Sequence, residues 1–230
     1  MLKRFVMEDR YVKRRTLDLI FAGGGVLVAV LLVVLGLVVQ DQYNFAKDYV
    51  KGELGAQKIT FATELTDEEK SWKPGSKCLT ENAGKLMETG NQAECYASYF
   101  IALHMRKAAR EAYPPGTYSD DTYATMGAKR SALQKTYDAA LADKGATDPA
   151  TVEAKKQLDA ATSLRSTFQT GETLRGLLLT TYGFSIFGDK AGLAALVCFI
   201  VAGLIAVLSA AGFVHAFLAK PDEVVLGGGK

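Results

Sequence analysis

The sequence predicts an all-α membrane protein in which two transmembrane helices flank an extracytoplasmic helical domain with a helical hairpin and one disulfide. Three observations predict this class. Residues 17–39 and 191–219 are long, nearly continuous apolar runs that hold a large share of the 49% hydrophobic content. The region between them has helical apolar spacing rather than strand alternation. That region also contains Cys78 and Cys95.

These observations divide the chain into six segments. They are a cytoplasmic basic tail at residues 1–16, transmembrane helix 1 at 17–39, an extracytoplasmic helical domain at 40–170, an amphipathic and aromatic membrane-surface segment at 171–190, transmembrane helix 2 at 191–219, and a cytoplasmic tail at 220–230. As a helix, the first span would be about 34 Å long, which is enough to cross the hydrocarbon core of a bilayer. The second span contains no Asp, Glu, Lys or Arg.

A cleaved secretory signal is the alternative for the first span, because basic residues precede it. Its apolar run is longer than the usual signal core. The residues that follow, Gln40 to Tyr43, offer no small-x-small cleavage site. We therefore expect an uncleaved membrane anchor.

Basic residues beside the two apolar runs predict the orientation. Lys13, Arg14 and Arg15 precede the first run, and Lys220 follows the second. Since cytoplasmic flanks are enriched in Lys and Arg, both termini of this two-pass plasma-membrane protein are expected in the cytoplasm, with residues 40–190 outside it. The net charge of +2 gives no support for nucleic-acid binding.

Cysteine placement predicts one disulfide. Cys78 and Cys95 lie in the exported region, where an oxidising compartment permits pairing, whereas Cys198 lies within the second apolar run. The alternatives are two free thiols, or a metal site formed with His104. We predict the bridge, which would add about 3 kcal/mol to the free energy of unfolding.

Helix signals run through the exported region. A mostly helical stalk is predicted at residues 44–65, and Thr66 opens a short helix with a capping box. The residues 73–76 are predicted to end that short helix, and a further helix is predicted at 91–113.

Two later helices, at residues 120–144 and 149–169, are predicted to form a hairpin joined through Gly145. Apolar spacing predicts the two sides of its seam, which are Met126, Leu133, Tyr137, Ala140 and Leu141 on one helix and Val152, Leu158, Ala161, Leu164 and Phe168 on the other. The hairpin is rich in alanine, whose small side chain makes little apolar contact, so this seam is thin. We therefore expect the surface of a partner to cover it.

Small and aromatic residues mark the two spans. Small residues at four-residue spacing are Gly25 and Ala29 in the first span and Ala202, Ala206 and Ala210 in the second. These stripes predict either packing of the two spans on each other or reception of another subunit. An interface belt at headgroup level is predicted from the aromatic residues Tyr43, Phe45, Tyr182, Phe184 and Phe187.

The stretch Thr180 to Phe184 invites comparison with the filter of a potassium channel. That filter stacks carbonyls in the order Thr-Val-Gly-Tyr-Gly, whereas this stretch has one glycine between bulky residues. An ion channel is therefore the least favoured function.

Catalytic and cofactor signatures are missing from the sequence. His104 and His215 are its two histidines, and neither has a second histidine at metal-ligand spacing. There is no Gly-x-Ser-x-Gly, P-loop or dinucleotide fingerprint. We expect no enzyme activity, no catalytic residues, no metal and no cofactor.

Four stretches, YVKRRTLDLIFAGGG, LTDEEK, QAECYASYFIALH and GETLRGLLLTTYGFSIFGDKA, resemble an uncharacterised family of small two-span actinobacterial membrane proteins. The resemblance covers nearly the whole chain after Tyr11. Some members carry an automatic label of aromatic ring-opening dioxygenase, whose iron site would need a set of histidines and carboxylates that this sequence lacks. The resemblance implies the two-span architecture and no known activity.

The sequence therefore predicts a non-catalytic membrane protein that serves as an accessory or scaffold subunit of a membrane or cell-envelope complex. The expected partners are the lipid bilayer and another membrane or envelope protein, or a second copy of the chain. An extracytoplasmic sensor or ligand-binding module is the alternative.

Overall fold

Residues 12–112, 121–218 and 224–226 are described in the computed structural model, and most of them are α-helical. The α-helices are α1 (Arg14–Ala56), α2 (Asp67–Ser71), α3 (Gly75–Asn82), α4 (Gly90–Cys95), α5 (Ala102–Glu111), α6 (Tyr123–Lys144) and α7 (Pro149–Leu218), and a π-helical segment, Tyr96–Ile101, joins α4 to α5. Two short strands, β1 (Val12–Lys13) and β2 (Val224–Leu226), pair antiparallel. The chain divides into a paired-helix unit, Met1–Phe45 with Phe187–Lys230, and a central unit, Ala46–Ile186.

In the paired-helix unit, α1 and α7 lie against each other through small residues. The neighbouring positions are Ala22 with Gly212, Gly25 with Ser209, Gly36 with Phe199, and Tyr43 with Gly192. Residue numbers rise along one helix as they fall along the other, so the two helices are antiparallel. Because most of these side chains are small, the two backbones approach closely.

The buried positions of α7 in this unit recur every seven residues, at Ala195, Ala202, Ser209 and Ala216. A seven-residue repeat of buried positions is typical of two helices that wrap around each other with a left-handed twist. In such a pair, residues at i, i+4 and i+8 do not all face the partner helix, because each further step of four turns the side chain away from the contact. Gly25, Ala29 and Ala202 lie at the seam. Ala206 and Ala210, which belong to the same predicted stripe of α7, are exposed and lie off the seam.

Both α1 and α7 are long and apolar enough, by length and composition, to cross a membrane. Large aliphatic side chains on their outer faces are exposed, with Leu27 at 74% and Leu208 at 70% of their full surface. The buried residues of this unit are the small ones at the seam. The larger apolar surface therefore has no protein covering in this part of the chain.

Helix α7 is continuous from Pro149 to Leu218, whereas the sequence predicted an end near Gln169 and a separate segment at residues 171–190. After Pro149 no proline interrupts it as far as Leu218. The threonines in its middle are compatible with a helix because their hydroxyls bond to carbonyls one turn back. Thr173 donates to the Gln169 oxygen at 2.7 Å, and Thr180 donates to the Gly176 oxygen at 2.8 Å.

The central unit has a buried core to which α1 and α3 to α7 contribute. Its most deeply buried large side chains are Leu54, Met87, Met126, Leu178, Thr151 and Cys95. The predicted stalk is shorter than expected, because α1 ends at Ala56 and Lys58 adopts a left-handed conformation with φ 56°. Beyond this turn, Met87 donates its backbone N–H to the Ile59 oxygen at 2.8 Å, which brings two loops together.

Two short helices lie where the sequence predicted one. The predicted capping box forms, and Thr66 begins α2 with Glu69 as its partner. Helix α2 ends at Ser71, and a further helix, α3, starts at Gly75 and carries Cys78. Residues 72–74 therefore separate two helices, and the second half of the stretch 73–76 already belongs to α3.

The predicted hairpin is formed by α6 and the first part of α7, with Gly145 in a left-handed conformation at φ 81°. Met126, Leu158, Ala161, Leu164 and Phe168 are buried as predicted. Leu141 and Val152 are exposed, at 37% and 56%, and do not belong to the seam. Thr151 takes the place of Val152, because its hydroxyl donates to the Ala140 carbonyl at 3.1 Å and can therefore be buried.

Candidate functional site

The predicted disulfide between Cys78 and Cys95 is confirmed, and it joins α3 to the end of α4 with Cα atoms 6.1 Å apart. Asn82 ties the same two helices: its Nδ2 donates to the Cys78 carbonyl at 3.0 Å, and its Oδ1 accepts from Gln92 Nε2 at 3.3 Å. Both sulfur atoms are bonded to each other, which removes the alternative metal site with His104. Among the described residues, no group of three or more His, Cys, Asp or Glu side chains could hold a metal ion.

A second capping box, which the sequence reading passed over, fixes the start of α4. Thr89 Oγ1 accepts from the Gln92 backbone N–H at 3.2 Å, and Gln92 Oε1 accepts from the Thr89 N–H at 3.0 Å. Such reciprocal bonds satisfy two backbone donors that a helix start otherwise leaves unpaired. Gly90 lies against Ser185 and the Tyr182 backbone, so a larger residue here would push α4 away from α7.

An open polar cleft of about 450 Å³ lies in the central unit. Its lining includes the polar residues Ser98, Arg106, Arg110, Asp121, Thr122, Glu172 and Arg175 and the apolar residues Trp72, Met105, Ala109 and Phe168. Met105, Ala109 and Phe168 are buried and form its floor. A pocket of this size with an apolar floor and a few convergent polar groups is suited to a small ligand.

Two arginines on one face of α5 line the cleft. Arg106 and Arg110 are four residues apart, which places them on the same side of the helix. The Arg106 guanidinium carbon lies 4.5 Å from the centre of the Trp72 ring, in cation–π contact. Arg110 pairs with Glu68 through its NH2 group. The two guanidinium groups therefore differ: one is neutralised by a carboxylate and the other rests on an aromatic ring.

A third arginine joins the opposite wall of the cleft to the π-helical segment. Arg175 Nε donates to the Ala97 carbonyl at 3.0 Å, and its Nη1 donates to both Glu172 oxygens at 2.9 Å. The wider turn of a π-helix leaves a carbonyl without its usual helical partner, and Arg175 supplies one here. The other acidic group in the lining, Asp121, lies 3.0 Å from Lys129 Nζ.

An aromatic row runs along the other side of the π-helical segment. The ring centres of Phe61 and Tyr96 are 5.4 Å apart in an edge-on contact, and those of Tyr96 and Phe100 are 4.4 Å apart in a stack. The ring centre of Phe100 lies 4.1 Å from that of His104. Burial raises the pKa of the Tyr96 hydroxyl, because the charged phenolate would lose hydration there. This row is a packing element, and His104 Nδ1 lies 2.9 Å from the Phe100 carbonyl oxygen.

An apolar groove of about 500 Å³ follows the hairpin. Leu133, Ala161 and Leu164 lie among its lining residues, together with the charged residues Lys129 and Glu153. The exposed Leu141 and Val152 also belong to this hairpin. The thin seam expected from the sequence is therefore accompanied by open apolar surface on the described part of the hairpin.

No protein-family model, curated protein or solved structure matches this chain. The resemblance drawn from the four sequence stretches therefore stays a prediction.

The basic residues predicted to orient the spans differ in their exposure. Arg15 is exposed and contacts the Phe217 ring, with 5.6 Å from its guanidinium carbon to the ring centre. Lys13 is exposed and Arg14 is half-buried at the start of α1, whereas Lys220 lies outside the described residues. The expected effect of these charges on orientation stays a prediction.

The residues predicted to form an interface belt divide by exposure. Phe187 is 78% exposed, Phe45 is 56% exposed, and Phe184 is 39% exposed. Tyr43 and Tyr182 are half-buried, with Tyr43 beside Gly192. The ring centres of Phe184 and Tyr49 are 6.0 Å apart in an edge-on contact, so Phe184 packs against protein. Thr180 to Phe184 lies inside α7, and its helical backbone differs from the extended carbonyl ladder of a channel filter.

The cleft arginines were missed by sequence reasoning. Local sequence explains Arg106 and Arg110 as positive charges that complement the dipole at the end of a helix, and this explanation does not indicate a cleft. Trp72 is the single tryptophan of the chain and lies four residues after Glu68, the partner of Arg110. A lone tryptophan beside acidic residues is the one sequence signal that could have drawn attention to this place.

Proposed function

We propose that the chain is a two-pass plasma-membrane protein with both termini in the cytoplasm and residues 40–190 outside it. The observation that carries this proposal is the exposed apolar surface of α1 and α7, both of which are long enough to span a bilayer. Helices are also the form in which a chain satisfies its backbone polar groups within lipid. The disulfide between Cys78 and Cys95 supports an oxidising location for the central unit.

Its role, in this proposal, is that of a non-catalytic accessory or scaffold subunit of a membrane or cell-envelope complex. The support comes from the open apolar surface of the hairpin, which includes Leu141 and Val152. A partner protein of the same membrane or envelope would cover this surface. We propose no reaction for the ionisable groups of the described residues.

The accessory role is tested by exchanging the exposed apolar side chains. Leu141→Asp with Val152→Asp should release a partner that co-purifies with the wild-type chain in mild detergent, because a charge at a buried interface lacks compensation. Lys135→Asp with Ser163→Asp is the matched control, since both positions are exposed on the same two helices. Equal recovery of every co-purifying protein with the two variants would contradict a partner on this surface.

A ligand-binding module is the second candidate function, and the polar cleft between α5 and α7 favours it. A thermal-shift screen of the full-length protein against envelope metabolites would test this function in general. One specific stabiliser that protects the central unit would favour it, whereas a screen without any stabiliser would leave the accessory role as the better account.

A further inference from the structure

We propose that the cleft of the central unit binds a small organic anion, with Arg106 as the residue that recognises its carboxylate or phosphate group. This proposal rests on the second candidate function and names its ligand class. It draws on the charge balance of the lining, the position of Arg106 and the apolar floor.

Among the described residues that line the cleft, the charge balance leaves one cation without a carboxylate. Glu172 is bonded to Arg175, Asp121 lies beside Lys129, and Glu68 holds Arg110. In the part of the chain that the structure describes, Arg106 has a ring contact and no ion pair. An anion entering the cleft therefore meets an available guanidinium and does not have to displace an existing salt bridge.

The contact with Trp72 prepares Arg106 for this role. A guanidinium above an aromatic ring is held by its face, so its N–H groups stay directed outward in the guanidinium plane. This planar fork matches the two oxygens of a carboxylate or phosphate. Since the ring fixes the side chain beforehand, less conformational entropy is lost when the anion binds.

The floor and the volume of the cleft limit the rest of the ligand. Met105, Ala109 and Phe168 are buried and present an apolar surface below the arginines. A volume of about 450 Å³ accommodates a ring-sized body and is small for a long acyl chain. The structure therefore favours a small organic anion over the headgroup of a membrane phospholipid, which shares the same anionic chemistry.

Trp72 provides a direct readout, because it is the single tryptophan of the chain and is in contact with Arg106. The full-length protein in detergent would be titrated with cyclohexanecarboxylate and cyclohexyl phosphate, with the neutral cyclohexanecarboxamide as the matched probe. We expect a saturable change of tryptophan fluorescence with both anions and none with the amide. Isothermal titration calorimetry gives the same affinities without relying on fluorescence.

Variants then assign the binding to Arg106. Arg106→Ala should weaken anion binding by about tenfold or more, since a charge-assisted hydrogen-bonded pair is lost. Arg106→Lys should give an intermediate loss, because it keeps the charge but not the fork. Lys107 is the matched control, because it pairs with Glu111 and does not line the cleft. Lys107→Ala should change anion affinity by less than about twofold.

Several results would overturn the proposal. Equal losses of anion affinity in Lys107→Ala and Arg106→Ala would indicate a nonspecific charge effect. If neither anion gives saturable binding, the cleft is not an anion-binding site. Amide binding that is independent of Arg106 would preserve a ligand-binding function while contradicting the ligand class. In nanodiscs, loss of probe binding on adding phosphatidylglycerol to phosphatidylcholine would identify a lipid headgroup as the occupant and contradict a small soluble anion.

Discussion

His215 Nδ1 lies 2.9 Å from Asp18 Oδ2, and this contact joins α7 to α1 within the paired-helix unit. Both residues stand among apolar neighbours, where a polar side chain without a partner is unfavourable. The contact lies beyond the last pair of the small-residue seam, Ala22 with Gly212. It therefore adds a directional bond to a pairing that otherwise depends on close packing.

We expect this pair to stabilise the association of α1 with α7 by about 0.5–1.5 kcal/mol, the range found for hydrogen bonds between helices in membranes. Asp18→Ala, His215→Ala and the double variant would be compared in a double-mutant cycle by SDS titration in mixed micelles. His104→Ala is the control histidine, because its ring nitrogen contacts the Phe100 carbonyl in the central unit and not the paired helices. A coupling energy of zero would contradict the proposed contribution.

Glycine at position 36 should be essential for the helix pair, because an added Cβ would lie 2.7 Å from the Phe199 ring. We expect Gly36→Ala to destabilise the pairing by about 1–3 kcal/mol, the usual cost of overpacking. Gly24→Ala makes the same exchange on the same helix where no atom lies within 4 Å. The same SDS titration should leave that control unchanged or slightly more stable, and equal losses in both variants would exclude the packing explanation.

The disulfide should stabilise the central unit by about 2–4 kcal/mol, because it closes a short loop in the unfolded chain. Cys78→Ser is the cleaner variant, since Cys95 is almost completely buried and a serine there would also bury a hydroxyl. Denaturant unfolding gives the loss of stability, while membrane extraction should show unchanged insertion of the spans. Free alkylation of both thiols in protein from intact cells would show that the bridge does not form there.

Tyr96 should make the central unit less stable in alkali. Its pKa is raised in the folded state, so the folded chain keeps its proton at pH values where the unfolded chain has lost it. Stability is thus unaffected below about pH 10, the ordinary tyrosine value, and falls as the pH rises above it. Thermal unfolding across this range should show a shallower decline for Tyr96→Phe, which retains the stack on Phe100. An unchanged decline would assign the effect to other groups.

Much of the helical fold could be predicted because its signals are local. The apolar runs, the capping box at Thr66 and the start of the hairpin's second helix at Pro149 each depend on residues within a turn or two. The pairing of Cys78 with Cys95 follows from having two cysteines in the one region between the two apolar runs. These predictions needed no knowledge of which helices touch.

The errors arise where a distant contact decides the structure. Apolar spacing placed Val152 in the hairpin seam, but a hydrogen bond to the Ala140 carbonyl buries Thr151 instead. The π-helical segment is coupled to Arg175, which lies 78 residues beyond Ala97. The cleft combines side chains of α5 and α7 with Trp72, and no periodicity within one helix reports such a combination.

The central claim, a two-pass protein with its central unit outside the cytoplasm, is tested most directly by labelling single cysteines. Phe5→Cys, Arg130→Cys and Val225→Cys would each be placed in a Cys198→Ala background and exposed to a membrane-impermeant maleimide in intact cells. We expect labelling at position 130 alone, with positions 5 and 225 reacting only after the membrane is permeabilised. Labelling of position 5 or 225 in intact cells, or protection of position 130, would contradict the account.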